Sequence, residues 1–207
     1  ATVNNLRTIK PETVDHYEAG LSHKWPDKGS LGATVFRDKG KDRFQTYMGG
    51  AIPLCFNDPV GYYEIRGLEL TGTAVPVKDL ELFAAATWLT VEAKGADNIE
   101  SNHMPYTPGF QFQSGAKWIF LKDFRVFADL QHLRNLYQGA SAGVGRGNTF
   151  HLPKLTAKDK LGDITLVNAR VSYRFDYRPM GLSNSEVFAA VNNIFNQDYE
   201  YAKGYPM

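Results

Sequence analysis

Four side chains in the long connections of this 207-residue sequence are of types that hold small ligands: Tyr106, Tyr137, Arg146 and His151. A tyrosine offers a flat apolar ring with a hydroxyl at its tip, and an arginine pairs with anions through a planar fork of donors. Taken singly, each is also an ordinary solvated loop residue. No catalytic spacing joins them. HExxH and a P-loop are both missing, and GVGRG (Gly143–Gly147) lacks the lysine that a phosphate loop needs. The five histidines have no ligand spacing; His103 and His151 fall in connections, and His132 falls at a strand end in a structural setting. Neither a catalytic residue, a metal site nor a cofactor is expected.

The elements that must carry these residues repeat every two positions. In TVDHYEAGLSHKW (Thr13–Trp25), Tyr17, Ala19, Leu21 and Trp25 alternate with Glu18, Gly20, Ser22 and Lys24. A period of two means a strand with two unlike faces. LVNARVSYRFDY (Leu166–Tyr177) alternates most cleanly, with Val167, Ala169, Val171, Tyr173 and Phe175 against Asn168, Arg170, Ser172, Arg174 and Asp176. The same reading predicts eight strands over 13–25, 31–47, 62–75, 80–92, 110–120, 124–136, 166–177 and 186–193. Within 80–92, Leu80, Leu82, Ala84, Ala86 and Trp88 share a face, although the other face is also largely apolar. No segment holds a helical period, so the fold class is an all-β antiparallel up-and-down meander of long strands.

Loop length sorts by side. The turns near 25–30, 76–79, 121–123 and 178–184 are short, whereas the connections near 49–60, 94–109 and 137–164 are long. Short and long alternate strictly, so all the long loops leave from one end, as in an outer-membrane barrel. The strands also approach or exceed the ~9–11 residues that span a bilayer. Arg125, Asp129, Arg170, Arg174 and Asp176 cannot face hydrocarbon, so the apolar face is expected to meet lipid and the charged face to line a wet interior. Glu18, Glu69, Arg170 and Arg174 are the candidate wall residues. Trp118–Phe120 and Phe175–Tyr177, beside short turns, fit an interfacial aromatic girdle.

Composition agrees. Lys and Arg number 23 against 22 Asp and Glu, a net charge of +1 that argues against a nucleic-acid partner. The longest apolar run, LFAAATWL (Leu82–Leu89), is too short for a membrane helix, and Ala1–Lys10 has no signal-peptide core. The lone Cys55 reads as a small apolar loop residue, or as half of a disulfide whose partner lies outside this sequence.

Four stretches then resemble one family. KPETVDHYEAGL (Lys10–Leu21) is similar to the P-E-x-x-x-x-Y-E-x-G strand entry of TonB-dependent outer-membrane receptors, and RGLEL (Arg66–Leu70) to their G-x-E strand. MPYTPGF (Met104–Phe110) resembles their P-x-x-P re-entry. VNNIFNQDYEYAKGYP (Val191–Pro206) resembles their near-terminal N-L-F-x-x-x-Y segment, with Ile194 in place of Leu. The resemblance implies that residues 1–207 are the C-terminal segment of a barrel of about 22 strands. The plug domain, the earlier strands, the TonB box and the last aromatic strand are then expected outside this sequence. It further implies a non-enzymatic transport receptor in the outer membrane of a Gram-negative bacterium, embedded in its lipid bilayer and energised by TonB. Its ligand would be an iron–siderophore complex or a similar scarce nutrient. Two other readings stay open on residues alone: a complete eight-stranded outer-membrane barrel, serving as anchor or enzyme, and a soluble β-sandwich binding module.

Overall fold

The computed structural model describes residues 11–49, 54–60, 62–94, 100–104, 106–138, 159–202 and 205–206. Its strands are β1 (Thr13–Trp25), β2 (Gly29–Lys41), β3 (Arg43–Gly49), β4 (Leu54–Val60), β5 (Tyr62–Val77), β6 (Leu80–Lys94), β7 (Glu100–Ser101), β8 (Phe110–Phe120), β9 (Phe124–Arg134), β10 (Ile164–Tyr177), β11 (Leu182–Val191), β12 (Glu200–Ala202) and β13 (Tyr205–Pro206). Eight of them form one antiparallel sheet in the order β1-β2-β5-β6-β8-β9-β10-β11, with β7 added beside β6. All four expected hairpins are neighbours in it. β1 and β11 end the order and do not pair with each other, so these strands do not close into an eight-stranded barrel by themselves.

Two expectations need correction. The 31–47 strand breaks at Asp42, which takes a positive φ of 61°. Beyond it, β3 turns away from the large sheet and pairs with β4 as a separate hairpin, Met48 opposite Cys55. Thus Cys55 lies on a strand rather than in a loop. The prolines and glycines of 49–60 suggested a connection, but Pro59 is tolerated because a two-stranded ribbon consists only of edges. The second correction is minor: the 94–109 connection contains the two-residue β7.

Register sorts side chains into two faces, because residues directly opposite across a ladder point the same way. One row runs Ala19, Val35, Leu68, Trp88 and Phe110. The next row toward the short turns runs Leu21, Ala33, Leu70, Ala86 and Phe112. On the opposite face, Gly20, Thr34, Glu69, Thr87 and Gln111 share a row. The two-sided apolar strand β6 is resolved by packing: Phe83, on the polar face, lays its ring over Gly115 of β8, where a Cβ would come within 2.4 Å of it. Beside the short turns, a chain of rings follows the apolar face from Trp118 through Phe120, Phe124 and Tyr173 to Phe175, with centroid spacings of 5.2, 5.4, 4.7 and 6.1 Å.

Toward the long connections the sidedness inverts. Outward positions on β2, β5 and β6 become Arg37, Lys39, Glu64, Arg66, Thr90 and Glu92, in continuation of the rows that hold Val35, Leu68 and Trp88. The formerly polar face becomes apolar. Tyr63, Val91 and Ala93 pack there with Met104, and Leu133, Ile164 and Leu166 pack with Leu136 and Leu161. The lower strands are therefore apolar outside and polar inside, and their upper ends the reverse. Such a crossover marks the height at which the surroundings change from hydrocarbon to water.

The Trp25–Gly29 turn provides a test of how tightly the hairpins are specified. Gly29 has φ +143°, and a Cβ there would lie 2.0 Å from the Thr73 carbonyl oxygen on β5. Backbone cannot yield as a side chain can, so Gly29→Ala should lower unfolding stability by about 2 kcal/mol. At Gly72 the nearest atoms stand 3.7–3.8 Å from a built Cβ. Gly72→Ala should be neutral or stabilising by about 0.5 kcal/mol. Denaturant midpoints of the two variants should separate in that order.

Candidate functional site

At the end of the sheet away from the short turns, the chain folds over its own apolar patches. Leu89 N–H donates to the Gly109 carbonyl (2.9 Å), and Gly109 N–H donates to the Asn135 carbonyl (3.3 Å), so the 106–109 segment runs beside the top of β9. Tyr106 N–H then donates to the Tyr137 carbonyl at 2.7 Å. These bonds bring two of the four candidate ligand residues together. Tyr106 presents its side chain, 58% exposed, from a left-handed backbone (φ 59°). Tyr137 does not: it is 9% exposed, and the His103 ring stacks on it at 3.9 Å with an interplanar angle of 12°. The closure thus buries Tyr137 beneath His103 and leaves Tyr106 exposed beside the stack. His103 is the member that the spacing of the histidines did not single out, and only the loop closure reveals it. Arg146 and His151 lie outside the described residues.

The stack joins the two apolar clusters. Met104, 2% exposed, belongs to the first, while Leu136, next to Tyr137, belongs to the second. The 159–161 segment closes the other side: Gln138 N–H donates to the Asp159 carbonyl and Leu161 N–H to the Leu136 carbonyl. Burial lowers the His103 pKa below its usual value, and the nearby Lys160 cation lowers it further. The imidazole is thus held neutral at pH 7. A neutral imidazole on a buried ring, with the Lys160 cation nearby, can meet a flat or anionic ligand. His132 is structural, as its position suggested: Nδ1 lies 2.8 Å from the Thr165 hydroxyl and the ring meets Phe110 edge-on.

The four expected wall residues share the polar face but form two groups. His16 bridges Asp38 and Glu18, with Nε2 at 3.3 Å from the Glu18 carboxylate. Glu69 stands in register between Thr34 and Thr87. Arg170 and Arg174 converge instead on Glu186 of β11, at 3.0 and 3.4 Å, with Arg125 at 3.9 Å. The Arg170 guanidinium also sits 3.9 Å above the Phe188 ring centroid. Among the described residues, no group of His, Cys, Asp and Glu is arranged to hold a metal ion.

Residues 1–194 match the family model described as TonB dependent receptor-like, beta-barrel. The chain belongs to the TonB-dependent receptor family. Solved structures agree in fold. The ferric-catecholate import receptor Fiu from K12 E. coli is 18% identical, with a TM-score of 0.64 over 94% of this chain and 25% of that one. The copper transporter OprC is 18% identical, with a TM-score of 0.67 over 96% of this chain and 28% of that one. The ferric citrate transporter FecA is 14% identical, with a TM-score of 0.65 over 91% and 27%. The chain thus spans about a quarter of the length of these receptors. No curated protein matches it. Barrels of this family lie in the outer membrane of Gram-negative bacteria, so the apolar band of the sheet meets lipid and the inverted upper ends stand above it.

The lowered His103 pKa gives a pH dependence of defined sign. A histidine whose folded pKa is depressed binds fewer protons folded than unfolded between the two values. Its contribution to holding the platform is present above the ordinary value of 6.5 and is lost as pH falls through the folded pKa. Amide exchange at Tyr106, Thr107 and 136–138 should accelerate as pH falls below 6.5, after correction for intrinsic rates. His103→Phe, which retains the ring without the charge, should abolish that acceleration.

Proposed function

We propose that this chain is part of an outer-membrane receptor that takes up a scarce nutrient, most directly a ferric siderophore, with energy from TonB. The observation that carries the reading is the family match over 194 residues, joined to an aromatic platform at the end of the sheet where the long connections gather. Fiu imports ferric catecholates, FpvA of Pseudomonas aeruginosa binds ferripyoverdine, and FecA transports ferric citrate. The shared class is an anionic chelate of ferric iron. The platform suits it: His103, backed by the buried Tyr137 ring, supplies a flat neutral surface, Tyr106 a hydroxyl, and Arg146 and His151 further contacts from the connection beyond Tyr137. Transport needs no covalent step, so no residue is assigned a catalytic role.

Glu18, Glu69, Arg170 and Arg174 are assigned to the interior wall. The Glu186 cluster brings three guanidiniums to one carboxylate at the short-turn end of β9, β10 and β11. Such a group holds the wall and faces the plug domain expected in the rest of the protein. Removing the carboxylate would leave three neighbouring cations unbalanced. Glu186→Gln, which unbalances all three guanidiniums, should therefore destabilise the intact receptor more than Arg174→Gln, which removes one partly exposed pair. Unfolding in detergent, followed by the heat-dependent gel shift, should give that order.

Uptake is tested in a strain lacking the receptor gene and grown under iron limitation. Iron-55 accumulation from catecholate, hydroxamate and citrate chelates is measured with and without the intact gene. One of these chelates should be taken up only when the gene is present, and not when TonB is deleted. Equal uptake of all of them with and without the gene would overturn the ferric reading.

A further inference from the structure

The cations on the outward face just above the apolar band have no part in ligand capture from the interior. Arg37 and Arg66 stand directly opposite each other on β2 and β5, one outward row above Val35, Leu68 and Trp88. Lys39 follows one row higher and Lys41 above that. Successive outward residues are ~6.8 Å apart along a strand, or about 5 Å in height once the strand tilts by roughly 40°. The headgroup zone is itself about 5–7 Å deep on each side of the hydrocarbon. The two arginines thus fall inside that zone, and Lys39 falls at its outer edge.

Two facing arginines would repel unless something held them. Glu64 does so, with its side chain 5% exposed. Arg37 grips it with two hydrogen bonds, Nε to Oε1 at 2.8 Å and Nη2 to Oε2 at 2.7 Å. Arg66 Nε reaches Oε1 from the other side, and the Tyr62 hydroxyl donates to Oε2 at 2.8 Å. The carboxylate is hidden among its donors, while the Arg37 and Arg66 side chains remain 44% and 55% exposed. Over the three outward rows of β1, β2, β5 and β6, the charged positions are Arg37, Lys39, Lys41, Arg66 and Lys94 against Asp15, Glu64 and Glu92, five cations to three acids. With Arg37 Nε and Nη2 and Arg66 Nε held by Glu64, the remaining Nη donors of the two guanidiniums are fixed at headgroup depth, where a phosphate can accept from both.

We propose that Arg37 and Arg66, fixed by Glu64 and supported by Lys39 and Lys41, form a binding site for the phosphorylated headgroup of an outer-leaflet lipid. The occupant follows from depth and charge. A soluble anion has no reason to seek the outside of a barrel at the membrane edge, and a protein partner would have to displace lipid from Trp88 and Leu68 directly below. The site is independent of the nutrient carried, so it stands or falls apart from the uptake reading.

The test uses the intact receptor in detergent, equilibrated with equimolar phosphatidic acid and phosphatidylcholine of identical acyl chains, with retained lipid read by native mass spectrometry. The wild-type protein should retain phosphatidic acid about tenfold over phosphatidylcholine. Arg37→Gln/Arg66→Gln should bring the ratio within about twofold of unity. Arg37→Lys/Arg66→Lys should fall between, keeping charge without the fork. Lys24→Gln/Lys117→Gln, on the polar face, should leave the wild-type ratio unchanged. A wild-type ratio near one, or an unchanged ratio in the double Gln variant, overturns the proposal. So does complete displacement of phosphatidic acid by inorganic phosphate, which would make this a free-anion site. If the double Gln variant does not fold, Lys39→Gln/Lys41→Gln decides: a fall of about threefold supports the site, and no fall overturns it.

Discussion

A backbone N–H or C=O at the depth of hydrocarbon has no water to turn to, and each one left unpaired costs several kcal/mol. The rest of this structure follows from that constraint. Every strand must be answered along its whole length by the next, so the chain runs as hairpins whose ladders extend from one turn to the other. β1 and β2 pair from Thr13–Lys41 down to Trp25–Gly29 without a break. Unbroken pairing makes the two-residue period rigid. Once one residue of a row faces lipid, the whole row does, and a register slip of one would turn Arg170 and Arg174 into the bilayer.

The same rigidity puts chemistry at the ends. Within the band, the outward face can carry only apolar groups, and the inward face is free to carry charge. Above it the pattern reverses, and the inward face supplies apolar anchors on which the connections settle. Met104 and Leu136 dock on those anchors, and the His103–Tyr137 stack forms between them. The aromatic stack is thus a consequence of the inversion: a loop that would otherwise be solvated is pinned by apolar side chains that no longer need to face lipid. Outside, the inversion leaves Arg37 and Arg66 at the membrane edge, with Glu64 holding them together.

Much of this was legible in the order of the residues. The alternation in Leu166–Tyr177 is strict because that strand has lipid on one side and water on the other, and such strands announce their faces. Strand β6 was harder to read, since Phe83 and Leu89 make its polar face look apolar; Phe83 fills the space above Gly115, a pairing visible only across strands. The β3–β4 hairpin was hidden behind turn-forming residues. Glu186 could not be named as the partner of Arg170 and Arg174 without the register of β11. Tyr137 looked like an exposed contact residue, and its burial depends on a segment more than thirty positions away in sequence. Sequence patterns report the face of a strand well, because the solvent dictates it, and report poorly which loop comes to lie on top.

The central claim is that the sheet turns inside out at one height, and β6 tests it in a single strand. Spin labels placed singly at positions 84, 86, 90 and 92 of the intact receptor in bilayers all point outward by register. Relaxation by apolar oxygen and by a water-soluble nickel chelate then reports depth. Labels at 84 and 86 should respond to oxygen and not to nickel, and those at 90 and 92 should respond to nickel with the oxygen effect falling away. Nickel accessibility at 84 and 86, or protection of both from either reagent, would contradict the account.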